Sequence, residues 1–265
     1  MEHSELNEEE VARYWNGNAD LWAKQVRQGW DACREYINNP ALFKLVGNLA
    51  GRRVLDAGCG EGYNTRILAK KGAKVVGVDI SPRMIELARQ AEDREPLGIR
   101  YEVASFSELS LFDDASFDVV VSTMALMDCP DYEAALKEFH RLLRRKGKLF
   151  FNITHPCFMT RGFGWVMDEP GNPIKITASD YFARQPWVER WRFSMLPNPE
   201  EVEPFAVPTF PRTLSDYLNG LLKAGFVLEK VQEPRPSEQA CHKHPWLRRW
   251  RDIAALFLQV YAVKA

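Results

Sequence analysis

Two rhythms of apolar and polar positions alternate along this chain, and together they predict a regular succession of strands and helices. Short apolar runs at Arg53 to Leu55, Lys74 to Asp79, Ile99 to Val103, Phe117 to Ser122, Lys148 to Ile153, Phe226 to Val231 and Leu256 to Val263 read as strands. Helical stripes lie between them. Tyr63 to Lys71 ends on two lysines with Gly72 just past its end, and Ser81-Pro82 is a plausible helix start. Tyr132 to Arg145 carries Ala135, Leu136, Phe139, Leu142 and Leu143 on one side, and Leu214 to Lys223 closes at Gly225. Strands alternating with helices predict an α/β fold with a doubly wound sheet.

Two segments depart from that alternation. In Val11 to Asn39, Tyr14, Trp15, Trp22, Val26 and Trp30 recur at roughly helical spacing, which predicts one or two amphipathic helices packed on the domain as a cap over residues 1–45. Thr154 to Thr213 shows no long periodicity and is too long for a plain loop. It concentrates aromatic residues and prolines, so residues 154–213 are expected to form an inserted lid whose aromatics partly pack on themselves and partly line a pocket. A length of 265 residues suits one such domain, spanning 1–265.

The chemistry is concentrated in Val54-Leu55-Asp56-Ala57-Gly58-Cys59-Gly60-Glu61-Gly62, where a strand runs into a glycine turn and then a helix. Glycines there let the backbone turn sharply and approach a ligand where a Cβ would clash. Asp79 ends the second strand about 20 residues further on, where a ribose diol would be hydrogen-bonded. A dinucleotide fingerprint would want glycine at position 63 and an uncharged end to the first strand, but Tyr63 and Asp56 stand there. A carboxylate beside the cradle opposes a pyrophosphate and favours a ligand bearing an ammonium and a sulfonium.

From about Val54 to Phe151 the pattern D-x-G-x-G-x-G, with an acid ending the next strand, resembles the class I S-adenosylmethionine-dependent methyltransferases. The resemblance implies a Rossmann-like seven-stranded sheet in the order 3-2-1-4-5-7-6 with strand 7 antiparallel. It implies S-adenosylmethionine as cofactor and S-adenosylhomocysteine as product. Asp56, Gly58, Cys59 and Gly60 would then contact the methionine part and Asp79 the ribose, while Ile80 and Met84 belong to the stretch beside the adenine. Ser105 stands where the family usually has an acid next to the adenine amino group, so backbone groups or stacking by Phe106 would replace it. Met124 lies where the family brings a residue against the ribose or adenine; singly, Met84 and Met124 also read as core filler. The resemblance further implies that Tyr14 on the N-terminal helix closes over the cofactor, and that the insertion after strand five shapes acceptor specificity.

His155 ends strand five, on the edge where open α/β sheets bind ligands, and is the candidate catalytic base; it also reads as a strand-end turn. Asp128 is a weaker candidate, read first as a helix cap before Tyr132. Cys241-His242-Lys243-His244 lacks the distant second ligand pair of a zinc site, so no metal is expected, and Arg248, Arg249 and Arg251 read as a solvated helix face.

A net charge of −1 gives no reason to expect nucleic acid or an anionic membrane as partner. Five scattered cysteines without a C-x-x-C pair argue against a disulfide framework. No stretch is apolar enough to cross a bilayer and Glu8-Glu9-Glu10 is unlike a signal peptide, so a cytoplasmic protein is expected. Ser122-Thr123-Met124-Ala125 differs from the Asp/Asn-Pro-Pro-aromatic signature of base-amino methyltransferases. The expected function is methyl transfer to oxygen, nitrogen or carbon of a small-molecule acceptor, by a monomer or homodimer. The alternative is a protein that binds the cofactor in a non-methylating or regulatory role.

Overall fold

The seven apolar runs pair into one sheet in the computed structural model, which describes residues 6–265; the first five residues of the expected cap lie outside it. The five leading strands are β1 (Arg53–Ala57), β2 (Lys74–Asp79), β3 (Arg100–Val103), β4 (Phe117–Thr123) and β5 (Leu143–Thr154). The insertion contributes β6 (Gly164–Met167), β7 (Pro173–Thr177), β8 (Trp187–Trp191) and β9 (Phe205–Thr209), and β10 (Phe226–Gln232) and β11 (Phe257–Lys264) end the series. The main sheet has the order β10-β11-β5-β4-β1-β2-β3, with β11 antiparallel to both neighbours. This is the order expected, with β10 and β11 as the sixth and seventh strands.

Side chains of successive strand residues point to opposite faces, and the helices cover both. The helices of the main fold are α1 (Glu8–Arg27), α2 (Asn39–Val46), α3 (Tyr63–Lys70), α4 (Pro82–Arg94), α5 (Tyr132–Leu142) and α6 (Leu214–Lys223). Leu55, Val78, Val120 and Phe151 pack with Leu136 and Phe139 of α5 and Tyr217 and Leu221 of α6. Their neighbours Val54, Val75, Val119 and Phe150 pack on the other face with Leu42 of α2, Leu68 of α3 and Ile85 and Ala88 of α4. Fully burying a side chain of this kind is worth about 1.5–3 kcal/mol, so the two layers fix the register of every strand. β1 pairs in parallel with β2 on one side and β4 on the other, and the chain order reverses there. That reversal opens a crevice at the carboxyl ends of the strands.

Helix ends follow local chemistry. The Ser81 hydroxyl accepts from the Met84 N–H at 3.1 Å and caps α4. Asp131, and not Asp128, caps α5 by accepting from Ala134 N–H at 2.8 Å. α5 stops at Leu142, short of the expected Arg145, because Leu143 already pairs with Phe117 as the first residue of β5.

The N-terminal stripe forms α1 and, after a π-helical turn over Arg34–Asn38, α2. α1 begins at Glu8, where three glutamates in the first turn suit the positive end of the helix dipole. Between β5 and α6 the chain makes two small antiparallel pairs, β6 with β7 and β8 with β9. Near the C-terminus two short helices, α7 (Glu238–Lys243) and α8 (Arg248–Asp252), precede β11. Among the described residues no helix is long and apolar enough to cross a membrane.

Candidate active site

A cavity of about 650 Å³ opens at the crevice, between the ends of β1, β2 and β4 below and α1, β8 and β9 above. The glycine turn after β1 forms its floor. Gly58 has φ +79°, and a Cβ there would lie 2.4 Å from the Cβ of Ala125 and 3.3 Å from the ring of Phe106. Only glycine fits this conformation in that space. Gly58, Cys59 and Gly60 all line the cavity.

Asp79 is tied into the same turn. Its Oδ2 accepts from the Gly60 N–H at 2.8 Å and its Oδ1 from the Ser81 N–H at 2.9 Å, so the carboxylate is held at the cavity wall with lone pairs still free. Burial outweighs those two bonds and pushes its pKa up to about 6. Ile80 and Met84 follow it on the wall, and Met84 is itself packed between α1 and α4 against Ala19, Ala23 and Leu87.

Asp56 is a correction to the sequence reading. It is fully buried inside β1, absent from the cavity wall, and its Oδ2 accepts from the Thr65 hydroxyl at 2.6 Å. Burial pushes its pKa up to about 7. The acid therefore clamps α3 to the strand from behind the turn. Glu61 takes the position facing the cavity; it is 5% exposed, accepts from the Trp22 indole N–H at 3.0 Å, and leaves Oε1 without a partner. Burial raises its pKa too.

Tyr14 is a second correction. On α1 the residues at positions 8, 11, 15 and 22 share one face, and Glu8, Val11, Trp15 and Trp22 line the cavity. Tyr14 is one residue off that face and stacks under the Arg13 guanidinium at 4.4 Å. Glu8 reaches the position that Ser105 leaves without an acid: its Oε1 accepts from the Ser105 hydroxyl at 2.9 Å and from the Ser107 hydroxyl. Ser105 and Phe106 line the cavity beside it. The sequence signal for Glu8 was its place on the Trp15–Trp22 face, and nothing local ties it to Ser105.

Beyond the end of β4 the wall turns toward the insertion. Met124, at φ +55°, lines the cavity and packs on an aromatic cluster with Phe163, Trp165 and Trp250. Asp128, 5% exposed, also lines the cavity. Burial, reinforced by the neighbouring Glu189 of β8, pushes its pKa well above the ordinary carboxylate range.

His155 is a third correction. It is 3% exposed and lies off the cavity wall, where Thr154 before it is the lining residue. Its Nδ1 accepts from the Cys157 N–H at 3.3 Å, so the proton sits on Nε2, which donates to Glu233 at 2.9 Å. Desolvation lowers its pKa against the pull of Glu233. Both nitrogens are thus engaged, one by the strand-end turn and one by the segment after β10.

The basic run also divides. Arg248 and Arg251 pair with Glu238 at 2.8 and 2.6 Å on the outer face, as expected, whereas Arg249 turns inward to line the cavity. In the Cys241–His244 stretch, Cys241 is buried and His242 exposed, and no group of three metal-ligating side chains comes together among the described residues.

A glycine turn at the switch point of a doubly wound sheet, with an acid at the end of β2, defines a nucleotide-binding α/β domain. Its kind is settled by comparison. Residues 55–151 match the Methyltransferase domain family. A ubiquinone biosynthesis O-methyltransferase of Coxiella burnetii is 30% identical over 161 residues, covering 60% of this chain and 67% of the relative. The crystal structure of an S-adenosylmethionine-dependent methyltransferase from Mesorhizobium loti superposes with a TM-score of 0.69 at 29% identity, over 84% of this chain and 96% of that one. An uncharacterized protein of Haemophilus influenzae is 26% identical over 239 residues, covering 87% of each chain. The chain belongs to the class I S-adenosylmethionine-dependent methyltransferases.

Proposed function

We propose that this enzyme methylates a small-molecule acceptor within the cavity, holding the cofactor's ribose on Asp79, its methionine end on the glycine turn and its adenine between Met84, Phe106 and the Glu8–Ser105 pair. The observation that carries this reading is the charge of the wall. Glu61 and Asp79 face the cavity at the glycine turn and burial pushes both upward in pKa, with an orphaned oxygen on Glu61. A ligand carrying an ammonium and a sulfonium relieves that excess of negative charge, and the space over Gly58 accommodates close approach.

S-adenosylmethionine supplies an activated sulfonium methyl when bound. What remains for the protein is to align an acceptor and exclude water, and alignment is worth up to about 7–11 kcal/mol in the best cases. Trp15, Trp22 and the strands of the insertion roof the cavity and serve as the lid. Asp128, on the cavity wall beyond the end of β4 with its pKa raised by burial, replaces His155 as the candidate whose carboxylate form takes a proton from a hydroxyl acceptor. The description of the Coxiella relative as an O-methyltransferase supports oxygen as the accepting atom.

The test is a metabolite library screened for release of S-adenosylhomocysteine, with the Asp79→Asn variant as control. Turnover by the wild type, matched by the variant only at raised S-adenosylmethionine concentration, is the expected result. Tight cofactor binding without turnover on any acceptor would favour the non-methylating role instead.

A further inference from the structure

The cavity has a second pole that the cofactor does not explain. Arg249 projects from α8 with its guanidinium 5.2, 5.3 and 5.5 Å from the ring centres of Trp165, Trp246 and Trp250. Stacking satisfies the faces of a guanidinium but leaves its in-plane N–H groups unused. The Nε of Arg249 is buried with no hydrogen-bond partner, and no carboxylate among the described residues pairs with the side chain. Its charged-type neighbour is the Cys33 thiol, which burial pushes up to about 12 and so keeps neutral.

Two more donors share this condition. Trp250 is 6% exposed and its Nε1 has no partner; Thr160 Oγ1 is likewise buried and unpartnered. Thr160 belongs to the turn that leads to Phe163, whose ring lies 6.1 Å from that of Trp250. All three residues line the one cavity. Buried donors without acceptors are uncommon in folded proteins, because each forfeits about 1–3 kcal/mol. A cation and two neutral donors, unpartnered on the lining of one cavity, offer an anionic oxygen ligand what it needs.

We propose that Arg249, Trp250 and Thr160 bind a carboxylate group of the methyl acceptor. The inference rests on the methyl-transfer reading of the cavity and extends it to the acceptor's chemical class. A carboxylate fits better than a phosphate dianion. Among the described arginines of the wall Arg249 alone is neither exposed nor paired with a carboxylate, since Arg161, Arg190 and Arg192 are exposed and Arg34 pairs with Asp31, and acids line much of the rest at Glu61, Asp79, Asp128 and Glu189. The aromatic cluster of Phe163, Trp165 and Trp250 next to the donors suits an acceptor with a flat apolar body.

The probe is phenylacetate against its neutral isostere phenylacetamide, titrated calorimetrically into the full-length enzyme saturated with S-adenosylhomocysteine. Saturation by S-adenosylhomocysteine is measured first, so failure there counts against the cofactor reading and not against this subsite. Phenylacetate is expected to bind at least about tenfold tighter than the amide, from charge-assisted bonds to a buried donor set. Arg249→Gln should abolish that preference while leaving S-adenosylhomocysteine affinity unchanged. Trp250→Phe keeps the ring and removes the N–H, so it should reduce the preference several-fold, and it serves if Arg249→Gln does not fold. Equal binding of acid and amide, binding of neither probe, or a preference that survives both substitutions would overturn the assignment.

Discussion

Replacing Glu8 by Gln tests how this chain recognises an adenine without the usual acid after β3. The substitution keeps the shape of the side chain and removes its charge, while the Ser105 and Ser107 hydroxyls remain to hold it. A carboxylate accepting from the exocyclic amino group of adenine makes a hydrogen bond to a charged group, worth about 1.5–3 kcal/mol. Glu8 is half-buried, so the lower end applies, about 1.5 kcal/mol or about tenfold in affinity. The assay is calorimetric titration of wild type and Glu8→Gln with S-adenosylhomocysteine and with S-inosylhomocysteine, which carries a carbonyl where adenine carries the amino group. The variant should lose about tenfold toward the adenine compound and should not lose affinity for the inosine one. An equal loss for both would show that Glu8 acts only by ordering Ser105 and Ser107, and no loss for either would remove it from the site.

Four further outcomes follow from the same geometry. Asp79→Asn should weaken S-adenosylmethionine binding by about 1.5–3 kcal/mol in calorimetry, since the ribose loses a charged acceptor and the amide oxygen accepts from only one of the Gly60 and Ser81 N–H groups. Asp128→Asn should lower kcat on a hydroxyl acceptor by about 10²–10⁴ with cofactor affinity preserved; unchanged kcat would exclude Asp128 as the base. Burial raises the pKa of Asp56 from 3.8 to about 7, so the folded state binds the extra proton in that window and this group's contribution makes stability fall as pH rises from about 4 to 7. The difference in urea stability between wild type and Asp56→Asn should therefore shift in the variant's favour across that range, and a flat difference would refute it. His155→Ala should lower the unfolding free energy by about 1–3 kcal/mol through the lost ring and its Glu233 bond, with kcat unaltered.

What could be read from the sequence was whatever is encoded within one element and its immediate turn. The apolar runs located all seven main strands, β2 and α6 to the residue and β5 with its first five residues missed, and the glycine turn with Asp79 located the crevice. The misreadings at Asp56, Tyr14 and His155 have one cause. Each residue is in the right element, but which way its side chain points is decided by packing between elements: Thr65 draws Asp56 inward, Glu233 draws His155 away, and the Trp15–Trp22 face turns Tyr14 aside. Glu8 and Arg249 were missed for the complementary reason. Ser105 lies 97 residues from Glu8, and although Trp246 and Trp250 flank Arg249 in the sequence, the ring that completes its cage, Trp165, comes from across the fold, separations that no local pattern carries.

α1 holds three different parts of the molecule at once. Trp22 donates to Glu61 in the glycine turn, Asn16 accepts from Ser81 at 2.7 Å at the head of α4, and Asn18 donates to the Ala206 carbonyl of β9 at 2.9 Å. The helix is thus a common strap for the glycine turn, the head of α4 and the strand β9. A substitution on α1 therefore reaches all three walls of the cavity together: Trp22, Asn16 and Asn18 stand within one stretch of helix, so an effect on one of these bonds is expected to register at the other two.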